Sequence, residues 1–101
     1  MAFSQWWAFR WGMVEYDHEK SGVYQFADAT GTVVYIGGSD NVKRRLAQHL
    51  GEDTTTCIRR KAAKYRVEYT SHYRRREKEL YDEFVRKYGK PPECNDVAPR
   101  R

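Results

Sequence analysis

The sequence predicts an α+β domain: a small antiparallel three-stranded sheet flanked by helices. Three observations carry this. Two short runs of β-formers, around Val23, Tyr24 and Phe26 and then Val33, Val34, Tyr35 and Ile36, are separated by the turn chemistry of Asp28-Ala29-Thr30-Gly31. A third run, residues 64–70, alternates Tyr65, Val67 and Tyr69 with Lys64, Arg66 and Glu68, the period of a strand. Helical spacing takes over in two other stretches, after Gly37-Gly38 and after Ser71.

Residues 1–20 form an aromatic N-terminal extension with Trp6, Trp7 and Trp11, expected to cover one edge of the core; the alternative is a stacking platform for an unpaired base. His18 falls in a polar stretch and is expected in a solvated loop. The hairpin of residues 22–36 follows. Ser39 or Asp40 is placed to cap a helix in which Val42, Leu46 and either His49 or Leu50 share a face. Residues 51–63 open as a loop and continue into the basic cluster Arg59, Arg60 and Lys61. The third strand is expected to have one wet face. Ser71 is a plausible cap for a helix running to about Tyr88, stopped by Gly89 and kept from restarting by Pro91-Pro92. The whole of 1–101 is therefore one domain, with a core over 21–95 and a loose polar tail over 96–101.

A chain of 101 residues has room for one modest core and no second, cofactor-binding lobe. Its net charge of +5 permits nucleic-acid binding without proving it. Cys57 and Cys94 lie far apart, lack metal-site spacing, and are expected as reduced thiols; a disulfide between them is the alternative for a hot or oxidising setting. No apolar run is long enough to span a membrane and the N-terminus lacks an apolar signal segment, so a cytoplasmic location is expected.

Two features point to chemistry. Each hairpin strand carries a tyrosine, Tyr24 and Tyr35. The helix after them turns Arg45 and His49 to nearly the same side. The last helix then places Glu77 near the middle of an apolar stripe of Tyr73, Leu80, Tyr81, Phe84 and Tyr88, while Glu79 and Glu83 fall to the side. A carboxylate turned toward a core is costly unless it is paired or bound to a cation. Either an ion pair with a neighbouring arginine or a functional role answers that cost.

These residues resemble the GIY-YIG nuclease family. Gly22-Val23-Tyr24 and Tyr35-Ile36-Gly37 are similar to the two tripeptides that name it, in the right order. The run from Ser39 through Asn41-Val42-Lys43-Arg44-Arg45-Leu46 to His49 resembles the family's following helix, with Arg45 and His49 on its active-site face. Glu77 resembles the family's metal-binding glutamate, with Glu83 a rival by its spacing to Asn95, and Asn95 resembles the asparagine near the module's end. Val23 replaces an isoleucine. Gly38 stands where many members carry a lysine, a phosphate contact that Lys43 is placed to supply.

The resemblance implies a metal-dependent DNA endonuclease that hydrolyses phosphodiester bonds, in repair or recombination. Glu77 would hold Mg²⁺ or Mn²⁺ and Arg45 a phosphate oxygen. Tyr24 would be the first candidate to take the proton from the attacking water. Tyr35 and His49 would position water and phosphate, and His49 is the alternative base. Lys43, Arg44, Arg59, Arg60, Lys61 and Asn95 are the candidate nucleic-acid contacts. Structured or damaged DNA, read without sequence preference, is the expected substrate, with a partner protein as a further source of specificity. The competing readings are a non-catalytic nucleic-acid-binding module on the same scaffold and a protein-interaction domain using the tryptophans.

Overall fold

The computed structural model describes residues 3–95. The expected loose tail over 96–101 lies outside the described residues. In chain order the elements are β1 (Trp7–Ala8), α1 (Trp11–Val14), β2 (Gly22–Ala27), β3 (Val33–Ser39), α2 (Val42–Leu50), α3 (Thr56–Lys61), β4 (Lys64–Tyr69) and α4 (Tyr73–Tyr88). The sheet is antiparallel in the order β1-β4-β2-β3. It therefore has four strands where three are expected. The added strand comes from the N-terminal extension, whose Trp7 pairs with Tyr65 and whose Ser4 N–H donates to the Val67 carbonyl at 2.8 Å.

The β2–β3 hairpin turns on Asp28, whose carboxylate accepts the Thr30 and Thr32 N–H groups, each at 3.0 Å, while Gly31 takes a positive φ of 94°. That backbone conformation is open to glycine and rare for other residues. Asn41, not Ser39 or Asp40, caps α2, its side-chain oxygen accepting the Arg44 N–H at 3.0 Å. The Ser39 hydroxyl instead accepts the Asn41 N–H and holds the entry to the helix. Val42, Leu46 and His49 are the buried face of α2. Residues 56–61, expected to continue from a loop, are helical and capped by Thr55. The cap residue of α4 is His72 rather than Ser71, and Gly89 ends that helix in the left-handed conformation at φ 81°.

Both sheet faces are covered. On one, Tyr24, Phe26, Tyr65 and Val67 pack with Val14, Val42, Leu46 and Ile58 from α1, α2 and α3. On the other, Val23 and Ile36 pack against Leu80 of α4. Every residue of the central strand β2 is consequently buried. The expected wet face of β4 is corrected by the same fact. Glu68 is 2% exposed there and receives two charge-assisted hydrogen bonds from Arg76 of α4, at 3.0 and 3.2 Å. Arg66 donates to Gln25 at 2.9 Å and lies under the Phe3 and Trp6 rings. Trp6 and Trp7 thus serve the domain's own packing, Trp7 against Tyr65. Trp11 is left about half exposed.

The cysteines are not reduced thiols: Cys57 of α3 and Cys94 form a disulfide. Their separation of 37 residues hid the pairing, because nothing local in the sequence predicts that α3 and the segment after α4 meet. That segment lies along β3, the edge strand. The Cys94 N–H donates to the Val34 carbonyl at 2.8 Å, the Asn95 side-chain oxygen accepts the Ile36 N–H at 2.8 Å, and its amide donates to the Ile36 carbonyl at 3.0 Å. The backbone on either side of Tyr35 is thereby pinned. Asn95, expected as a nucleic-acid contact, is engaged through both its oxygen and its nitrogen in closing a sheet edge.

Candidate active site

The site is built around Gly37-Gly38, the last turn of the pleat before β3 ends. Successive residues of a strand point to opposite faces. Position 37 therefore looks toward the tyrosines and position 38 toward α4. A Cβ on Gly37 would stand 2.6 Å from Tyr24 Cζ and 2.7 Å from both the Tyr24 hydroxyl and Tyr35 Cε2. A Cβ on Gly38 would stand 2.8 Å from Glu77 Oε1. Two neighbouring side chains are missing at an edge strand, one on each face. Groups from opposite sides of the sheet converge across that gap.

On the first face, the Tyr24 hydroxyl and His49 Nε2 are hydrogen-bonded at 3.0 Å, and His49 Nδ1 meets the Thr54 hydroxyl at 2.7 Å. The Tyr24 and Tyr35 rings lie 6.1 Å apart, centroid to centroid. Arg45 is partly exposed, donates to Gln48 Oε1 at 2.8 Å and lies 3.8 Å from the exposed Asp53 carboxylate. Its guanidinium favours the ionised form of both phenols. Burial outweighs it. Desolvation holds the Tyr24 hydroxyl well above the ordinary range and raises Tyr35 as well. His49 is pushed down to about 3, first by burial and then by Arg45, so its imidazole is neutral at pH 7.

On the second face, Glu77 is half-buried and its pKa is raised by desolvation, which the nearby Arg74 charge only partly offsets. No hydrogen bond or ion pair is made to its carboxylate among the described residues. Arg76, the arginine beside it in sequence, is taken by Glu68 and Glu79. Glu77 is close enough to disfavour ionisation of both Tyr24 and Tyr35. Glu83, its rival, is exposed and exerts no such effect on either phenol.

The structure therefore brings together Tyr24, Tyr35, Arg45, His49 and Glu77. Two of them are fully buried, His49 on the apolar face expected for it or Leu50. Tyr24 is 1% exposed and His49 3%, so neither touches solvent directly, and Tyr35 is the half-buried phenol. Sequence reasoning missed Thr54, in a polar loop without periodicity, and Gln48, which holds Arg45. Of the basic residues, Arg44 is paired with Asp40 at 2.8 Å and Lys61 with Glu93 at 3.4 Å. Lys43 is half-buried, and Arg59 and Arg60 are exposed on α3, which packs on α2 and β3 beside the site.

Paired phenols, an arginine and a carboxylate without a bonded partner thus meet at a glycine edge. The chain belongs to the GIY-YIG catalytic domain family, whose model matches residues 20–87. The particular relatives are UvrABC system proteins C. The chain is 38% identical over 42 residues to the UvrABC system protein C of Bacteroides fragilis and 40% identical over 38 residues to that of Methanospirillum hungatei. Those stretches are 42% and 38% of this chain and 7% of each relative's length, so the chain spans a small part of the proteins it matches. The magnesium-bound GIY-YIG N-terminal endonuclease domain of UvrC from Thermotoga maritima superposes with a TM-score of 0.62 at 24% identity, covering 83% of this chain and 92% of that one. That likeness establishes the α+β fold.

Proposed function

We propose that this chain cuts DNA in a repair or recombination setting, using a divalent cation held by Glu77, on branched, nicked or damaged substrates. The observation that carries the reading is the unpartnered Glu77 carboxylate beside Gly38, across the glycine pair from Tyr35 and Arg45. A half-buried carboxylate that makes no hydrogen bond or ion pair is placed to take a cation as its partner. No group of three or more His, Cys, Asp or Glu side chains suited to a metal occurs among the described residues. One carboxylate fits Mg²⁺ or Mn²⁺, hard cations content with oxygen ligands, and Mg²⁺ ordinarily keeps several of its waters. When bound, such an ion stabilises charge on the phosphate and the leaving oxygen.

The remaining work belongs to the chain's own side chains. Arg45 holds a non-bridging phosphate oxygen through its forked donors. Tyr35 is the phenol nearest solvent; with its own proton released to solvent under the pull of Arg45 and a bound cation, its phenolate would take the proton of the attacking water. This moves the role from Tyr24, whose hydroxyl is enclosed, and from His49, whose burial and low pKa make it a poor base. Tyr24 holds Tyr35 from behind. Arg59 and Arg60, with Arg44 and Lys43, supply phosphate contacts that are independent of sequence. Specificity for a site would then come from DNA shape or from a partner protein.

The test is incubation with branched, nicked, lesion-bearing and linear duplex DNA in Mg²⁺, Mn²⁺ or EDTA. Cleavage with either ion and none with EDTA is expected, with the structured substrates cut first. Salt-sensitive binding without nicking under any ion would favour the non-catalytic module instead.

A further inference from the structure

We propose that Thr54 is a positioning residue, one that acts through His49 to set which way the Tyr24 proton points. The inference rests on the nuclease reading for its catalytic consequence but not for its structural content. His49 is enclosed by Tyr24, Phe26, Tyr35 and Arg45, its ring 5.7 Å from Tyr24, 5.2 Å from Phe26 and 5.6 Å from Tyr35. Both of its nitrogens are engaged, Nε2 with the Tyr24 hydroxyl and Nδ1 with Thr54.

A neutral imidazole has one donor and one acceptor nitrogen. Two arrangements satisfy the pair of contacts. In one, Tyr24 donates to Nε2 and Nδ1–H donates to Thr54. In the other, Nε2–H donates to Tyr24 and the threonine hydroxyl donates to Nδ1. Arg45 decides between them. Its guanidinium stands beside the Tyr24 oxygen and carries donors only. With Nε2–H and Arg45 both donating to it, the Tyr24 oxygen would have to send its own proton outward, where Arg45 cannot accept it and only the Tyr35 oxygen is within reach. The first arrangement avoids this. It turns the phenol proton inward and the oxygen lone pairs outward, toward Arg45 and Tyr35. Thr54 contributes the acceptor that keeps the Nδ1 proton where it is. Without that acceptor, Nδ1–H is left unpaired in a largely buried site, and the proton gains by moving to Nε2. Tyr24 would then have to turn its own proton outward, into the site.

The experiment uses the full chain labelled with ¹⁵N and reads the His49 ring by ¹⁵N–¹H correlation. Wild type is expected to show the Nδ1–H tautomer. Thr54→Val, which keeps the shape and removes the hydroxyl, is expected to shift His49 toward Nε2–H. It should also lower kcat on a cleaved DNA about tenfold, the scale of one hydrogen bond, with KM little changed. Thr54→Ser is expected to restore both. An Nε2–H tautomer in the wild type overturns the proposal without any variant having to fold. So does a Thr54→Val protein with unchanged tautomer and unchanged kcat, or a Thr54→Ser protein as impaired as Thr54→Val. Absence of cleavage by the wild type would instead remove the nuclease reading and leave the tautomer result standing by itself.

Discussion

The Glu77 carboxylate occupies the space that a side chain at position 38 would need, with Oε1 only 2.8 Å from where a Cβ on Gly38 would sit. Gly38→Ala tests this contact. The closest group is the free end of a flexible side chain, and the Tyr73 ring, 3.2 Å from the same point, need give only slightly, so the methyl should cost about 1 kcal/mol, the low end of overpacking. Cleavage should fall and the Mg²⁺ needed for half-maximal rate should rise, because the carboxylate is pushed off its position. Gly37→Ala is the contrasting variant. There the methyl meets the enclosed Tyr24 ring, and a loss of about 1–3 kcal/mol is expected from overpacking. Equal behaviour of the two alanines, by thermal unfolding and cleavage rate, would contradict this division.

Glu77→Ala and Glu77→Gln should abolish cleavage while leaving DNA binding intact. Neither should destabilise the protein in the absence of metal, since the carboxylate has no bonded partner to strand and its ionised form is disfavoured by burial. EDTA should reproduce the loss in the wild type and leave the melting temperature of Glu77→Ala unmoved. Residual Mg²⁺-dependent cutting by Glu77→Ala would transfer the metal to another residue.

Acid stability provides a test that needs no substrate. The His49 pKa falls from 6.5 to about 3 on folding. Between those values the unfolded chain binds a proton that the native ring refuses, so stability rises with pH across the window and is lost as pH falls through it. The slope from this one group approaches about 1.4 kcal/mol per pH unit below the unfolded pKa. His49→Gln should be less stable near pH 7, through loss of a buried hydrogen bond, yet show a flatter decline from pH 6 to pH 4. Parallel declines for the two proteins would mean that His49 ionises in the folded state.

Much of this arrangement was legible in the residues, and the limits have physical causes. The hairpin, α2 and α4 each announce themselves by period or by Gly and Pro punctuation, and Tyr24, Tyr35, Arg45 and Glu77 follow from those elements. β1 is two residues long and has no period to read. The alternation of Arg66 and Glu68 in β4 looks like a wet face because sequence does not reveal that α4 and Phe3 cover it. The depth of Tyr24 and the capture of Asn95 by Ile36 are likewise tertiary facts, set by which segment lies against an edge strand.

The disulfide has a consequence for the site through that edge. Cys94 and Asn95 pin the backbone flanking Tyr35, and Cys57 ties them to α3. Closing a loop of 37 residues restricts the unfolded chain by an entropy worth about 2–4 kcal/mol. Cys57→Ala should lower the melting temperature under non-reducing conditions, and a dithiol reductant should do the same to the wild type and nothing further to the variant. Cleavage well below the melting point should weaken in both, because Tyr35 is held less firmly. A wild type indifferent to reductant in both assays would show that the clamp stands without the bond.

A buried acid beside α4 and a half-buried one on it differ in their partners, and a last pair of variants separates their roles. Glu68 is 2% exposed and is satisfied by the Arg76 fork, whereas Glu77 has no such partner. Arg76→Leu leaves the buried Glu68 carboxylate without its partner, which ordinarily costs about 3–5 kcal/mol. Changing Glu68 to Gln in the same protein removes the stranded charge and should recover a large part of that loss. Metal dependence should be unaffected in either variant at temperatures where they remain folded, since the pair lies on the β4 side of α4 and Glu77 faces Gly38 at the other edge. Arg76→Leu would be mild in urea titration if water reaches Glu68, and in that case the distinction between a structural acid and a cation-binding one would rest on Glu77 alone.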